Sequence, residues 1–219
     1  METITFRKAV SADLPFIIEC IVQSEYSGSN ILGICAVLDI SETSFRNALV
    51  EIFDEEIENQ PWNLNAWYVA EINGDLAAGL CGWIEGTDGI QSDIVKAQFL
   101  QFFFKESFNI RQEALGAVSE ITLKRTPGAL QLEHLYTLPQ YQGKGIMKNL
   151  VEFLCVDFDS QMHEIQLLKS NERALSFYEY IGFSVNEIKC NDQVLRLSLL
   201  ASECKLKVSR LYERRNDKI

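Results

Sequence analysis

The stretch 130–158, LQLEHLYTLPQYQGKGIMKNLVEFLCVDF, decides how the rest of this chain is read. Its opening, 130–138, has the apolar and aromatic pattern of a strand. Gln142-Gly143-Lys144-Gly145 then makes a glycine-rich turn. Beyond it, Ile146, Met147, Leu150, Val151, Leu154, Cys155 and Phe158 recur at helical spacing and form one apolar stripe. A helix that opens on glycine leaves backbone N–H groups free at its first turn, backed by the positive end of its dipole. Such an end holds phosphate. Gly143 and Gly145 let an anion approach the backbone, and Lys144 and Lys148 add positive charge. A tight turn that merely happens to use two glycines is the competing reading. Spacing excludes two other phosphate loops. The P-loop pattern is absent, and the dinucleotide fingerprint begun at Gly143 would need glycine where Lys148 stands.

Outward from this unit, elements follow in both directions. Residues 3–9 read as a strand, and Ser11-Ala12-Asp13 as the start of a helix with Leu14, Ile17, Ile18, Ile21 and Val22 on its inner face. A second helix starts near 41–44 and turns Phe45, Leu49, Ile52 and Phe53 inward. Strands at 66–72 and 75–84 flank Asn73-Gly74, a hairpin turn by composition. Residues 86–129 carry Phe99, Phe102, Phe103, Phe104 and Phe108 in a short span and close at Pro127-Gly128. After the central helix come a strand at 164–168 and a helix capped by Asn171, with Ala174, Phe177, Tyr178 and Ile181 facing inward and Gly182 as its stop. A last hairpin spans 183–200 around Asn191-Asp192, with Leu195, Leu197 and Leu199 alternating with polar residues. The tail from Ala201 is charged. No repeat or linker interrupts the chain, so one domain over 1–200, with a tail at 201–219, is expected.

Composition sets bounds. Hydrophobic residues at 47% and charged residues at 23% suit a globular protein with a sizeable core. The formal charge of −11 argues against nucleic acid and membrane surfaces as partners. The six cysteines form no C-x-x-C pair, and several sit in apolar segments, which suits a reducing compartment. No leader pattern opens the chain and no apolar run approaches the roughly 20 residues of a membrane span, so a cytoplasmic protein is expected. His134 and His163 have no companions at metal-ligand spacing, so no metal is expected.

Two segments carry a family resemblance. Gln142-Gly143-Lys144-Gly145-Ile146-Met147 resembles the pyrophosphate loop of the GNAT superfamily, Q/R-x-x-G-x-G/A. Gln142 takes the first position, Gly145 the glycine, and Met147 stands where the family usually has Gly or Ala. Asn171 through Phe183 is similar to the family's N-x-x-A-x-x-F-Y-x-x-x-G-F, matched at Asn171, Ala174, Phe177, Tyr178, Gly182 and Phe183. The resemblance implies an α/β fold: a mixed, mostly antiparallel sheet with helices on both faces, splayed at its centre for acetyl-CoA. It implies acetyl-CoA as cosubstrate and an amine as acceptor. The implied cofactor residues are Leu135, Tyr136 and Thr137 on the splayed strand, Gln142, Gly143, Lys144, Gly145, Ile146, Met147 and Lys148 in the loop, and Asn171, Ala174, Phe177 and Tyr178 on the following helix. The family usually joins its strands by a short turn where this chain has residues 86–129.

The expected chemistry is direct attack of a neutral amine on the acetyl thioester. It needs a path for the ammonium proton, donors for the oxyanion and an acid for the leaving thiolate. A backbone N–H near 135–137 meets the second need. Tyr178, which the resemblance places at the thiol end, can meet the third, because a phenol is protonated at neutral pH; packing against pantetheine alone is the competing reading. For the first, the resemblance points to Glu133 on the strand. Period-two alternation sets Glu133, Leu135 and Thr137 on one face and His134, Tyr136 and Leu138 on the other, so either Glu133 or His134 can face the acceptor. The phenylalanines of 86–129 can line an acceptor pocket, form a lid, make a homodimer contact or, most plainly, pack the segment onto the core. The acceptor is a small amine, a peptide N-terminus or a protein lysine. A non-catalytic acetyl-CoA-binding or protein-interaction module of the same fold, or an enzyme for longer acyl-CoA, are the competing readings.

Overall fold

The computed structural model describes residues 2–26, 30–121, 123–158, 160–189 and 194–200. The 191–192 turn and the tail from 201 lie outside the described residues. The N-terminal strand β1 (Ile4–Lys8) runs into a single 3-10 turn and then α1 (Leu14–Glu25), with α2 (Gly33–Leu38) and α3 (Glu42–Asp54) following. Arg7 locks this start in place, donating to Asp13 at 2.6 and 3.0 Å, while Asp13 also accepts from the Val10 N–H at 2.8 Å. Ser41 starts α3 by accepting the Ser44 N–H at 3.1 Å, the bond an N-cap serine supplies. The hairpin β2 (Trp67–Ile72) and β3 (Asp75–Ile84) turns at Asn73-Gly74.

Residues 86–129 fold into α4 (Ser92–Phe103), α5 (Lys105–Ile110) and α6 (Gln112–Ile121). Their phenylalanines divide. Phe99 is buried, Phe103, Phe104 and Phe108 are half-buried against the core, and Phe102 is 77% exposed. A carboxylate anchors this segment. Glu85, 1% exposed, accepts from the Ser92 N–H, the Ser92 hydroxyl and the Trp83 indole at 2.9, 2.7 and 3.0 Å. It therefore satisfies donors at the N-terminus of α4 that would otherwise be orphaned.

The chain continues through β4 (Leu130–Thr137), α7 (Ile146–Asp157), β5 (Met162–Leu168), α8 (Glu172–Tyr180), β6 (Ser184–Lys189) and β7 (Val194–Leu200). Seven strands form one sheet in the order β1-β2-β3-β4-β5-β7-β6. Only β4 and β5 run parallel. One face carries α1, α3 and α4 on a core that includes Ile17, Phe45, Trp62 and Trp67. The other carries α7 on Leu80, Leu130 and Leu132, with Leu150 of α7 and Tyr178 of α8 in the same cluster. Gly82 lets α7 come close, since a Cβ there would lie 2.9 Å from a Leu154 methyl. The fold is thus the mixed, mostly antiparallel α/β architecture expected.

Candidate active site

β4 and β5 pair only at Leu130 with His163 and Gln131 with Glu164. Beyond these residues the two strands diverge, although β4 stays paired with β3 as far as Thr137. The β5-facing backbone of the outer half of β4 therefore has no sheet partner. A cavity of about 720 Å³ opens there, walled by β4, the loop before α7, α8 and the C-terminal turn of α1.

The loop is shaped by its glycines. Gly143 and Gly145 both have φ of +75°, a conformation costly to side-chain-bearing residues. A Cβ on either would meet no atom within 4 Å, so the space above the backbone is open. Among the described residues, no other backbone group takes the N–H groups of residues 143–148. Gln142 braces the loop: its amide donates to the Thr137 carbonyl at 3.0 Å, and its oxygen accepts from Arg173 at 2.5 Å. Asn171 caps α8, accepting the Ala174 N–H at 3.2 Å. Both polar positions of the sequence motifs thus hold the loop and the helix to the cavity wall.

Nearly every residue expected at the cofactor lines this cavity, from Leu135, Tyr136 and Thr137 through Gln142, Gly143, Gly145, Ile146, Met147 and Lys148 to Asn171, Ala174, Phe177 and Tyr178. Lys144 is the exception. It lies over the Tyr141 ring and pairs with Glu2 at 3.4 Å, at the rim. Met147 does not close the loop, because its side chain packs partly into the core beneath. Tyr178 is 7% exposed, its ring is held between Phe177 and Phe183, and burial raises its pKa above the ordinary tyrosine value. Its hydroxyl has no protein hydrogen-bond partner among the described residues and stays protonated at neutral pH.

The sequence did not reveal the α1 wall, Gln23, Ser24 and Tyr26, nor Arg173 and Tyr180. The motifs are local, and α1 reaches the cavity only through the tertiary fold. Tyr26 is held there by its hydroxyl, which donates to Glu42 at 2.7 Å.

The simple alternation expected along β4 breaks at a bulge. The register shifts opposite 79–81, so His134 and Leu135 together face Leu80, and His134 takes φ of +55°. A bulge adds one residue and reverses the facing of the residues beyond it. Glu133 and His134 consequently lie on the same side of the sheet, the α1 side, rather than on opposite sides. His134 stacks on Trp67 with ring centroids 6.0 Å apart and planes 6° apart, and its Nδ1 lies 2.8 Å from the Ser24 hydroxyl. Its Nε2 is buried without a hydrogen-bond partner among the described residues, 3.6 Å from Glu133 Oε2.

Glu133 is gripped from outside the strand. Arg125, which also pairs with Asp93, binds one carboxylate oxygen, and Lys96 of α4 lies 3.7 Å from the other. Burial works to raise the Glu133 pKa, but Arg125 and then Lys96 hold it down at about 2. For His134, burial is the largest influence and lowers its pKa to about 4, with Glu133 pulling the other way. At neutral pH the carboxylate is charged and the imidazole neutral. Among the described residues no group of three or more His, Cys, Asp or Glu stands ready to hold a metal ion, and no helix is long and apolar enough to cross a membrane.

A sheet parted between parallel β4 and β5, with a glycine-opened helix end beside the gap, is the architecture of the acyl-CoA N-acyltransferase fold. The comparisons agree. A family profile described as an Acetyltransferase (GNAT) domain matches residues 105–185, which contain both sequence motifs. No functionally curated protein matches the chain. Among solved structures, an acetyltransferase aligns at 15% identity with TM-score 0.59, over 90% of this chain and 99% of its own. An N-acetyltransferase from Staphylococcus aureus Mu50 aligns at 15% with TM-score 0.57, over 89% and 100%. Spermidine N-acetyltransferase from Vibrio cholerae, solved with CoA and spermine, aligns at 15% with TM-score 0.53, over 92% and 97%. The chain has the GNAT fold, and its residues 105–185 are similar to the GNAT acetyltransferase domain.

Proposed function

We propose that this protein transfers the acetyl group of acetyl-CoA directly to an amine. The observation that carries the reading is the convergence on one cavity of the open glycine loop, the unpaired edge of β4 and the buried phenol of Tyr178. The residues suit the cosubstrate. Unpartnered N–H groups at the start of α7 offer donors to a pyrophosphate, with Lys148 and Arg173 at the same wall. The free edge of β4 offers strand-like hydrogen bonds to the amide-bearing arm. Acetyl-CoA, when bound, supplies an activated thioester.

The chain's own groups do the rest. Backbone N–H groups of β4 near Leu135–Thr137 stabilise negative charge developing on the acetyl oxygen, as fixed dipoles in a water-poor site do. Tyr178 hands its proton to the departing sulfur. Glu133, the expected base, is held at about pKa 2 by Arg125 and Lys96. Its two oxygens are engaged by those cations, and we assign it a fixed charge beside His134 instead. The acceptor is an amine, whether small molecule, peptide N-terminus or protein lysine.

Titration calorimetry with acetyl-CoA, free CoA and succinyl-CoA tests the first half. Saturable binding is expected, and Gly145→Asp should abolish it, through a φ of +75° and a negative charge set against the pyrophosphate. No binding by any acyl-CoA would mean a GNAT fold kept without its cosubstrate. Tyr178→Phe tests the second half. It should cut turnover by roughly a hundredfold while leaving acetyl-CoA affinity nearly unchanged, and an unaltered kcat would remove Tyr178 from the acid role.

A further inference from the structure

Acetylation of an ammonium needs its proton removed before attack, and both oxygens of Glu133 already face cations, one bound by Arg125 and the other 3.7 Å from Lys96. We propose that Ser24 and His134 carry this proton out of the cavity, with Glu133 steadying the far side of the imidazole. The inference rests on the acetyl-transfer reading above and deepens it.

Three independent features place the relay. First, Ser24 lines the cavity together with Leu135 and Tyr136, whereas His134 lies behind it. Ser24 is therefore the member of the pair open to an acceptor, and His134 acts through it. Second, the Ser24 hydroxyl hydrogen has two acceptors within reach, the Ile21 carbonyl and His134 Nδ1, each at 2.8 Å. Hydroxyl hydrogens rotate freely between such partners. Third, when Nδ1 accepts, the neutral ring carries its hydrogen on Nε2, and that buried nitrogen faces Glu133 Oε2 at 3.6 Å with no hydrogen-bond partner. Serine, imidazole and carboxylate stand in line, and the bulge at His134 is what turns the ring to the cavity side.

The step balances. The acceptor ammonium gives a proton to Ser24 Oγ while the Ser24 hydroxyl proton passes to His134 Nδ1. The imidazolium so formed sits beside the Glu133 carboxylate and returns its proton to solvent. The freed amine forms the N–C bond as the C–S bond breaks. The nitrogen sheds two protons in all, the sulfur gains one, and one is released. Around the ring, Glu133 favours the charged form, while Lys96 from α4 and Arg125 oppose it. Glu25 of α1 is the remaining carboxylate near Lys96 and Glu133.

The test compares wild type with Ser24→Ala and His134→Gln, after calorimetry shows that each binds acetyl-CoA. Two amines of nearly the same shape serve as acceptors: ethylamine, an ammonium at neutral pH, and methoxyamine, which is neutral there. Release of the CoA thiol reads turnover. The relay predicts a loss of about a hundredfold in kcat/KM for ethylamine and little loss for methoxyamine. It also predicts that the ethylamine deficit closes as pH rises toward that amine's own pKa. Equal losses with both amines at every pH would show that the pair only supports the wall, overturning the relay and leaving acetyl transfer intact. Wild-type protein that binds acetyl-CoA but acetylates neither of these amines, nor peptides presenting a free N-terminus and a lysine, would overturn acetyl transfer and the relay together. If His134→Gln does not fold, Ser24→Ala carries the same comparison from the cavity surface.

Discussion

At the scale of single residues, His134 shows how one backbone angle redirects chemistry. Its φ of +55° is unusual for a residue with a side chain, though histidine tolerates it better than β-branched residues do. The reward is a ring stacked on Trp67 and bonded to Ser24. Burial depresses its pKa from 6.5 to about 4. Between those values the unfolded chain binds the proton and the folded chain does not, so stability rises with pH across that window and falls on acidification through it. The change amounts to at most about 3 kcal/mol. Glu133 acts in a lower window, its contribution present above 4.5 and lost as pH falls toward 2. Denaturant melts of wild type at pH 7 and pH 5 should therefore differ by more than those of His134→Gln. Identical pH dependence in the two proteins would show that the imidazole is not buried as described.

At the scale of elements, α4 is joined to the sheet by charge as much as by apolar contact. Ser92 bonds Glu85, Asp93 bonds Arg125, and Lys96 approaches Glu133, so the first turn and a half of α4 is fastened to β3 and β4. The largest share of this falls on Glu85, a buried carboxylate that accepts three hydrogen bonds. Removing one side of a buried polar set leaves the other side unsatisfied, which costs more than the bonds contribute. Glu85→Ala should lower stability by about 3 kcal/mol, read from a denaturant melt. It should also loosen the grip on Glu133. A loss below about 0.5 kcal/mol would mean that the apolar contacts of Phe99 and Leu100 seat α4 alone.

At the scale of the whole molecule, 31 acidic against 20 basic side chains leave a net charge of −11. Such a charge opposes compaction through self-repulsion, and salt screens it within about a Debye length. Thermal midpoints should rise on adding sodium chloride from about 10 to 150 mM. A fall over that range would show that specific surface ion pairs, such as Arg46 with Glu19 and Glu42, outweigh the repulsion. The same charge makes the cavity a local exception, because Lys148, Arg173 and the free N–H groups of the loop gather positive potential at one wall.

What the sequence determined by itself rests on near neighbours, although it left the helices α2, α4, α5 and α6 unread. The Gly143–Gly145 loop and the stripe of α7, the Asn171 cap and buried Tyr178, the Ser41 cap and the Asn73-Gly74 hairpin each depend on residues only a few positions apart. Periodicity and turn chemistry reach that far. Tertiary structure alone decided the proton side of the site. Ser24 and His134 are 110 positions apart, and Arg125 reaches Glu133 from beyond the strand. The bulge that puts Glu133 and His134 on one face also answers to pairing with β3, which the alternation of β4 does not encode. Such contacts follow from how sheet and helices pack together, and no local pattern records which distant side chain will fill a given space.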